Sequence, residues 1–201
     1  TENGANPFDP SVDLERSELP ERMREAVEAA CFNIFHTARR EPHLAGMGTT
    51  VSALVLKPST REGSVDAYLA HVGDSRIYLV RGDICQQISE DHSLVNEQIK
   101  AGVITPEEAK HSRFKNIITR SVGFEEDVLV DVMGLWAQPG DVFMMCSDGL
   151  SNFLEDHEVL EMVQAYAGDR IAELPKAFVD LANARGGDDN ITCIVVRVDE
   201  A

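Results

Sequence analysis

The stretch Val65-Asp66-Ala67-Tyr68-Leu69-Ala70-His71-Val72-Gly73-Asp74-Ser75-Arg76-Ile77-Tyr78-Leu79-Val80-Arg81-Gly82-Asp83-Ile84 decides the fold. Two short runs, Val65 to Val72 and Arg76 to Val80, are rich in aliphatic and β-branched residues and are parted by Gly-Asp-Ser, so both read as strands. Arg81-Gly82-Asp83 reads as a hairpin turn into a further strand over Ile84 to Ile88. Working outward, Thr49 to Leu56, Val128 to Leu135, Val142 to Cys146 and Asn190 to Val198 carry the same pattern. Several are apolar almost throughout, as in Val51-Ser52-Ala53-Leu54-Val55-Leu56, which suits sheets covered on both faces.

Helices precede and follow these strands. From Pro20 to Arg40 the positions Met23, Ala26, Val27, Ala30, Cys31, Ile34, Phe35 and Ala38 recur at three and four, with Glu21, Arg24, Glu25 and Glu28 on the wet side. Two more helices are expected over Asp156 to Tyr166 and Leu174 to Ala184, the second with Pro175 in its first turn. Residues 92–125 form a polar, partly helical insert, and residues 1–18, with Asn6-Pro7 and Asp9-Pro10, read as an extended lead-in. The class is α+β, as one layered domain over 1–201.

Composition narrows the function classes. The chain has 201 residues, 43% hydrophobic and 26% charged, enough for one self-sufficient core. No apolar run approaches the roughly 20 residues a membrane helix needs, and Thr1-Glu2-Asn3-Gly4 lacks the features of a secretory signal. A net charge of -17 repels phosphate backbones and argues against nucleic acid as a partner. Cys31, Cys85, Cys146 and Cys193 are widely spaced within apolar stretches, the pattern of buried thiols in a reducing, cytoplasmic compartment.

Three carboxylates stand at turns that bound strands: Asp74 in Val72-Gly73-Asp74-Ser75-Arg76, Asp148 in Cys146-Ser147-Asp148-Gly149-Leu150, and Asp189 in Gly186-Gly187-Asp188-Asp189-Asn190. Hard divalent cations take oxygen ligands of this kind. Each motif alone is equally well a turn held by its own side chain.

The ordered series does more. Gly46-Met47-Gly48-Thr49-Thr50, the Asp74 motif, Glu90-Asp91-His92-Ser93-Leu94-Val95, Ile118-Thr119-Arg120-Ser121-Val122-Gly123, Pro139-Gly140-Asp141, the Asp148 motif and the Asp189 motif resemble the bacterial branch of the metal-dependent protein phosphatases, type 2C, over about 46–198. The resemblance implies a four-layer α-β-β-α sandwich of two antiparallel sheets flanked by helices. It implies two core Mn²⁺ or Mg²⁺ ions and a third, weaker one. It implies phosphoserine or phosphothreonine proteins as substrates, hydrolysed by direct attack of metal-activated water, and Ser/Thr kinases as opposing partners. By motif, Asp148 and Asp189 are core metal ligands, Asp74 and Asp148 help hold the third ion, and Asn190 orients ligands or water. Residues 93–123 correspond to a flap subdomain, and the protein is expected to be monomeric.

Other residues carry plainer expectations. Arg76 orders its turn through a hydrogen-bonded pair, His92 braces the insert, His71 is a satisfied core histidine and Trp136 packs. Lys110, Arg113 and Lys115 either meet an acidic phosphopeptide or form a solvated face.

The resemblance lacks its front. Members of the family carry an Arg-x-x-Asn-Glu-Asp segment and an Asp-Gly-x-Gly-Gly-His segment, which supply a phosphate-binding arginine, a metal-bridging Asp and a general-acid His. The first 45 residues offer only Asp9, Asp13 and Gly4, in no such context. The expectation is a portion of a longer phosphatase, short of its N-terminal strands and inactive alone. The alternatives are a pseudophosphatase serving as a binding or regulatory module, or completion by another chain. Unpaired strand edges weigh against a complete pseudoenzyme.

Overall fold

The computed structural model describes residues 17–200, so most of the lead-in expected over 1–18, with Gly4, Asp9 and Asp13, lies outside the described residues. Helix α1 (Leu19–Arg40) opens with Pro20 in its first turn and closes with Arg39 and Arg40 in its last, which suits the helix dipole. Strands β1 (Val51–Pro58), β2 (Val65–Val72), β3 (Arg76–Arg81) and β4 (Ile84–Gln87) follow, then the short helices α2 (Leu94–Lys100) and α3 (Pro106–Lys110). Strands β5 (Asp131–Ala137) and β6 (Val142–Cys146), helices α4 (Asp148–Ser151), α5 (Asp156–Ala165) and α6 (Leu174–Ala184), and strand β7 (Cys193–Arg197) complete the order.

The strands form two antiparallel sheets, β1-β2-β5 and β4-β3-β6-β7. Alternation within the apolar runs sends neighbours to different layers. In β2, Ala67 and Leu69 pack between the sheets against Ile77, Leu79 and Phe143, while Tyr68, Ala70 and Val72 pack on Met23, Val27 and Cys31 of α1. In β3 and β6, Tyr78, Val80, Val142 and Met144 turn the other way, onto Val159 of α5 and Leu174 and Phe178 of α6. Helix, sheet, sheet and helix pair therefore stack as four layers around three apolar seams, the expected class of fold. The near-continuous hydrophobicity of the strands is what two covered faces require.

Besides the long route through the insert from β4 to β5, the chain crosses between the sheets by two short connections, at opposite ends. Residues 73–75 lead from β2 to β3 at one end, where Arg76 of β3 pairs with Cys146 of β6. Residues 138–141 lead from β5 to β6 at the other, since Ala137 pairs with Val65 at the start of β2. The second crossing is locked by Arg81, which donates to both carboxylate oxygens of Asp141 at 2.9 and 2.7 Å and to the Trp136 carbonyl at 2.8 Å. Asp141 is 1% exposed and also accepts from the Gln138 amide. The Trp136 ring carries the Arg61 guanidinium 4.8 Å from its centroid.

Besides β1, which runs Val51–Pro58 rather than Thr49 to Leu56, two strands begin later than the sequence suggests. β5 starts at Asp131 rather than Val128, and β7 at Cys193 rather than Asn190. In both cases polar or charged anchoring at the strand foot, by Asp131 and by the Asn190 carbonyl, replaces ladder bonding. Among the described residues no helix is long and apolar enough to cross a membrane. All four cysteines are free, and burial pushes the Cys85, Cys146 and Cys193 thiols up to about 12.

The turn from β3 to β4 is the expected hairpin, with Gly82 at φ +57°. The insert is held at its base by the Ser93–Ile118 bridge and by Leu94 N donating to the Ile117 carbonyl. Within it, Thr105 and Glu108 cap α3 reciprocally, with Pro106 in its first turn.

Candidate active site

The end of the sandwich carrying the 73–75 crossing gathers all three acidic turns, and two of their carboxylates face one cavity. Gly73 adopts φ +114°, and a Cβ there would lie 2.3 Å from the Thr50 methyl, so this turn accepts glycine alone and presses against β1. Ser75 Oγ lies 2.8 Å from Thr50 Oγ1, and Asp74 between them faces a cavity.

Asp148 opens α4 directly after β6, and its Oδ1 accepts from the Gly149 amide at 2.9 Å. The Asp189 turn lies alongside. Ser147 N donates to the Thr192 carbonyl at 3.1 Å, Ser147 Oγ donates to the Asn190 carbonyl at 3.1 Å and accepts from Thr192 N at 3.1 Å. Gly149 has no room for a side chain, because a Cβ there would sit 2.4 Å from the Asn190 carbonyl oxygen. Pairing of β6 with β7 thus laces the Asp148 turn to the Asp189 turn. The Asp189 side chain itself is exposed and accepts from its neighbour, the Asn190 amide, at 2.7 Å.

Asp74 and Asp148 line one cavity of about 1020 Å³. Its walls are β3 and the 87–93 segment on one side, the insert with Ile99, Lys110 and Lys115 on another, and Phe153 to Glu158 leading into α5 on the third. Asp189 and Asn190 are not among the lining residues. Burial, and next the charge of Asp148, push the Asp74 carboxyl above its ordinary value. That is the electrostatic state of two carboxylates brought together, which a divalent cation between them relieves. Among the described residues, however, no three His, Cys, Asp or Glu side chains converge as a metal-holding group. The residues present therefore fit a hard cation as part of its ligand set.

The remaining sequence expectations resolve as follows. Arg76 does order its turn, gripping Asp91 through Nε and Nη2 at 3.0 and 2.7 Å and donating to Tyr78 Oη. His71, 3% exposed, is satisfied by Ser52 Oγ and by the Gly73 and Glu90 carbonyls, and burial, aided by His92, lowers its pKa. Lys110 pairs with Glu155 and Glu107, and the Arg113 guanidinium stacks on Phe114, so neither is an idle cation. Lys115 faces the cavity.

Sequence reading missed the chain of groups behind the site. His92 contacts Asp131 Oδ2 at 2.9 Å, and Arg120 donates to Asp131 Oδ1 at 2.6 Å. Burial opposes the Asp131 charge, but the hydrogen bonds from His92 and Arg120 outweigh it and hold the carboxyl below the usual carboxylate range. His92 and Arg120 each stand in a quoted motif, yet nothing in the spacing joins them to Asp131, which contacts them only once β5 lies beside β2.

At the α5 wall, Arg185 donates to both oxygens of Glu158 and to the Phe153 carbonyl. The Arg185 hydrogen bond, seconded by the Glu155 amide, brings Glu158 down to about 2. A depressed carboxylate stabilises the fold fully above its unfolded value near 4.5 and loses that contribution as pH falls toward about 2. Glu158→Gln is accordingly expected to melt below the parent chain at pH 6, with the gap closing between pH 4.5 and 2 in thermal scans; a gap independent of pH would refute the ion pair.

Comparison with known proteins agrees with this architecture. Residues 6–178 match the family model described as Protein phosphatase 2C. Serine/threonine phosphatase stp of Listeria innocua is 35% identical over 184 residues, covering 92% of this chain and 70% of that protein. The crystal structure of the Mycobacterium tuberculosis serine/threonine phosphatase PstP/Ppp superposes with a TM-score of 0.81 at 33% identity, covering 92% of this chain and 74% of that one. A structure of the PstP catalytic domain in complex with two manganese ions is 34% identical with a TM-score of 0.78, covering 90% and 72%. With most of its length matched in sequence and in fold, the chain belongs to the protein phosphatase 2C family.

Proposed function

We propose that the chain forms a single phosphatase domain, with residues 93–123 as its flap, which dephosphorylates serine and threonine in proteins with Mn²⁺ or Mg²⁺ as cofactor. Asp148 and Asp189 would serve as core metal ligands, Asp74 with Asp148 would help hold a third, weaker ion, and Asn190 would orient ligands or water. The observation that carries this reading is the meeting of Asp74 and Asp148 on one cavity, with the Asp189 turn bound to the Asp148 turn through the backbone. Bound cations would supply a water of lowered pKa and offset negative charge on phosphoryl oxygens. The chain's own part is positional. Gly73 and Gly149 allow close approach at the two turns, the Ser147 hydroxyl bonds across β6 and β7, and the insert forms one wall of the cavity.

The substrates in this reading are phosphoproteins made by Ser/Thr kinases, met by a monomer in the cytoplasm, where four free thiols are at home. A second reading, a non-catalytic binding module, draws on one observation: three metal-holding side chains do not converge among the described residues. The arginine and histidine that the resemblance assigns to phosphate binding and acid catalysis also have no counterpart in the sequence, so turnover by the chain alone is expected to be slight.

One assay separates the readings. The chain is mixed with a phosphothreonine peptide and Mn²⁺, and phosphate release and peptide binding are measured together. Release that disappears on chelation and in Asp148→Asn supports the enzyme. Binding without release that chelation and Asp148→Asn leave unchanged supports the module, and release that survives both treatments refutes the metal assignment.

A further inference from the structure

Gly73 is the residue whose backbone aims Asp74, and two histidines hold all of its polar atoms. Its carbonyl accepts from His92 N at 2.8 Å and from His71 Nε2 at 3.0 Å, and its amide donates to His92 Nδ1 at 2.9 Å. A backbone amide only donates, so His92 Nδ1 carries no proton while that bond stands, and the ring's proton is on Nε2. Nε2 then donates to Asp131 Oδ2; Arg120 Nη1 also lies 2.9 Å from Nε2 but can only donate, and its proton goes to the other carboxylate oxygen at 2.6 Å. His92 is 4% exposed, and its own carbonyl accepts from Thr119 at the exit of the insert. No lone feature is at work: four side chains and one peptide unit close a chain from the insert to the turn before Asp74.

We infer that His92 is a positioning residue for Asp74, gripping the Gly73 peptide through Nδ1 while Asp131, itself fixed by Arg120, holds the ring in the one tautomer that can do so. The inference deepens the metal reading of Asp74 and rests on it. It also gives Asp131 a defined task. With Asn at 131, Arg120 takes the amide oxygen and turns the NH₂ toward His92 Nε2. Two donors then face each other unless the ring moves its proton to Nδ1, where it meets the Gly73 N–H. An isosteric change two hydrogen bonds away from Gly73 would thus release it.

The test uses Mn²⁺ alone as probe, titrated into the chain and followed by the spin-resonance signal of the free ion, together with NMR-detected amide exchange at Gly73. His92→Asn keeps an acceptor near Nδ1, whereas His92→Gln reaches Asp131 but leaves Gly73 without a partner. Expected are affinities for the weakest-bound Mn²⁺ about tenfold lower in His92→Gln and Asp131→Asn, the usual scale for residues that orient metal ligands. Gly73 exchange should be faster in both, with His92→Asn close to the parent chain in both measurements. A ring that merely filled space would rank the larger Gln above Asn and ignore Asp131→Asn, and that order would overturn the inference. Asp74→Asn separates the two levels: if it leaves Mn²⁺ binding unchanged the metal reading of Asp74 fails, and Gly73 exchange still decides whether His92 holds the turn.

Discussion

Gly149→Ala is expected to weaken Mn²⁺ binding about tenfold or more and to lower stability by about 1–3 kcal/mol, the range for forcing atoms into a filled space. The added Cβ would lie 2.4 Å from the Asn190 carbonyl oxygen and 3.1 Å from its carbon. Both are backbone atoms, so no side chain can swing aside. The Asp148 turn must instead part from the Asp189 turn, straining the Ser147 bonds that join them. Titration of Mn²⁺ into the variant, with a thermal melt on the same sample, checks both effects. Gly82→Ala is the control: that position has φ +57° but open space around it, so its cost is conformational and its Mn²⁺ affinity should be unchanged. Equal Mn²⁺ affinity in Gly149→Ala and the parent chain would show that the two turns do not share a site.

The largest loss of stability is expected far from the cavity. Asp141→Ala should cost about 3–5 kcal/mol, since it takes a buried carboxylate away from a mostly buried guanidinium and leaves the Trp136 carbonyl to face that charge. For a chain of this size that corresponds to a fall in melting temperature of roughly 6–20 °C. The Arg81 side chain is 19% exposed and that of Asp141 2%, so little water can replace the lost carboxylate. Asp141→Ala combined with Arg81→Met, which removes both charges, should lose less than the single change. Differential scanning calorimetry of the three proteins decides the matter, and a double variant less stable than the single one would contradict an unbalanced buried charge as the cause. Mn²⁺ affinity should be indifferent to either change, because the lock sits at the other crossing.

Much of the fold is legible in the sequence because the two periodicities are clean. The threes and fours of Met23, Val27 and Cys31 give α1, and the doubly apolar β2 and β3 can only lie between covering layers. The hairpin at Gly82 is equally local. Short α4 is not legible, since Asp148-Gly149-Leu150-Ser151 looks like a turn and becomes helical only where Gly149 meets Asn190. The foot of β5 is lost for a similar reason, as Val128 and Val130 have the apolarity of a strand while Asp131 anchors the start of the ladder.

The candidate site divides along the same line. Motif order picks out Asp74, Asp148 and Asp189 as candidates, because glycines beside acids at strand ends leave a local mark. Which of them meet is a tertiary matter: Asp74 and Asp148 share the cavity, and Asp189 reaches the assembly through backbone contacts while its carboxylate faces outward. The support of Gly73 by His92, Asp131 and Arg120 is wholly long-range and leaves no spacing to find.

The narrow stem at the base of the insert has a consequence for how such a molecule can vary. Ser93 meets Ile118, and Leu94 N reaches the Ile117 carbonyl, so residues 93–118 leave and re-enter the sandwich at almost the same point. Thermodynamically the insert is then a closed ring hung on two rungs, with the Asn96–Asp91 bond and the exposed Lys110–Glu155 pair as further ties to the host. Its chain-closure entropy grows only with the logarithm of its length, about 0.6 kcal/mol per doubling. Lengthening, shortening or exchanging that cassette therefore leaves the host sheets nearly untouched, while changing one whole wall of the cavity. Diversity in what the cavity admits can accumulate there at almost no cost to folding.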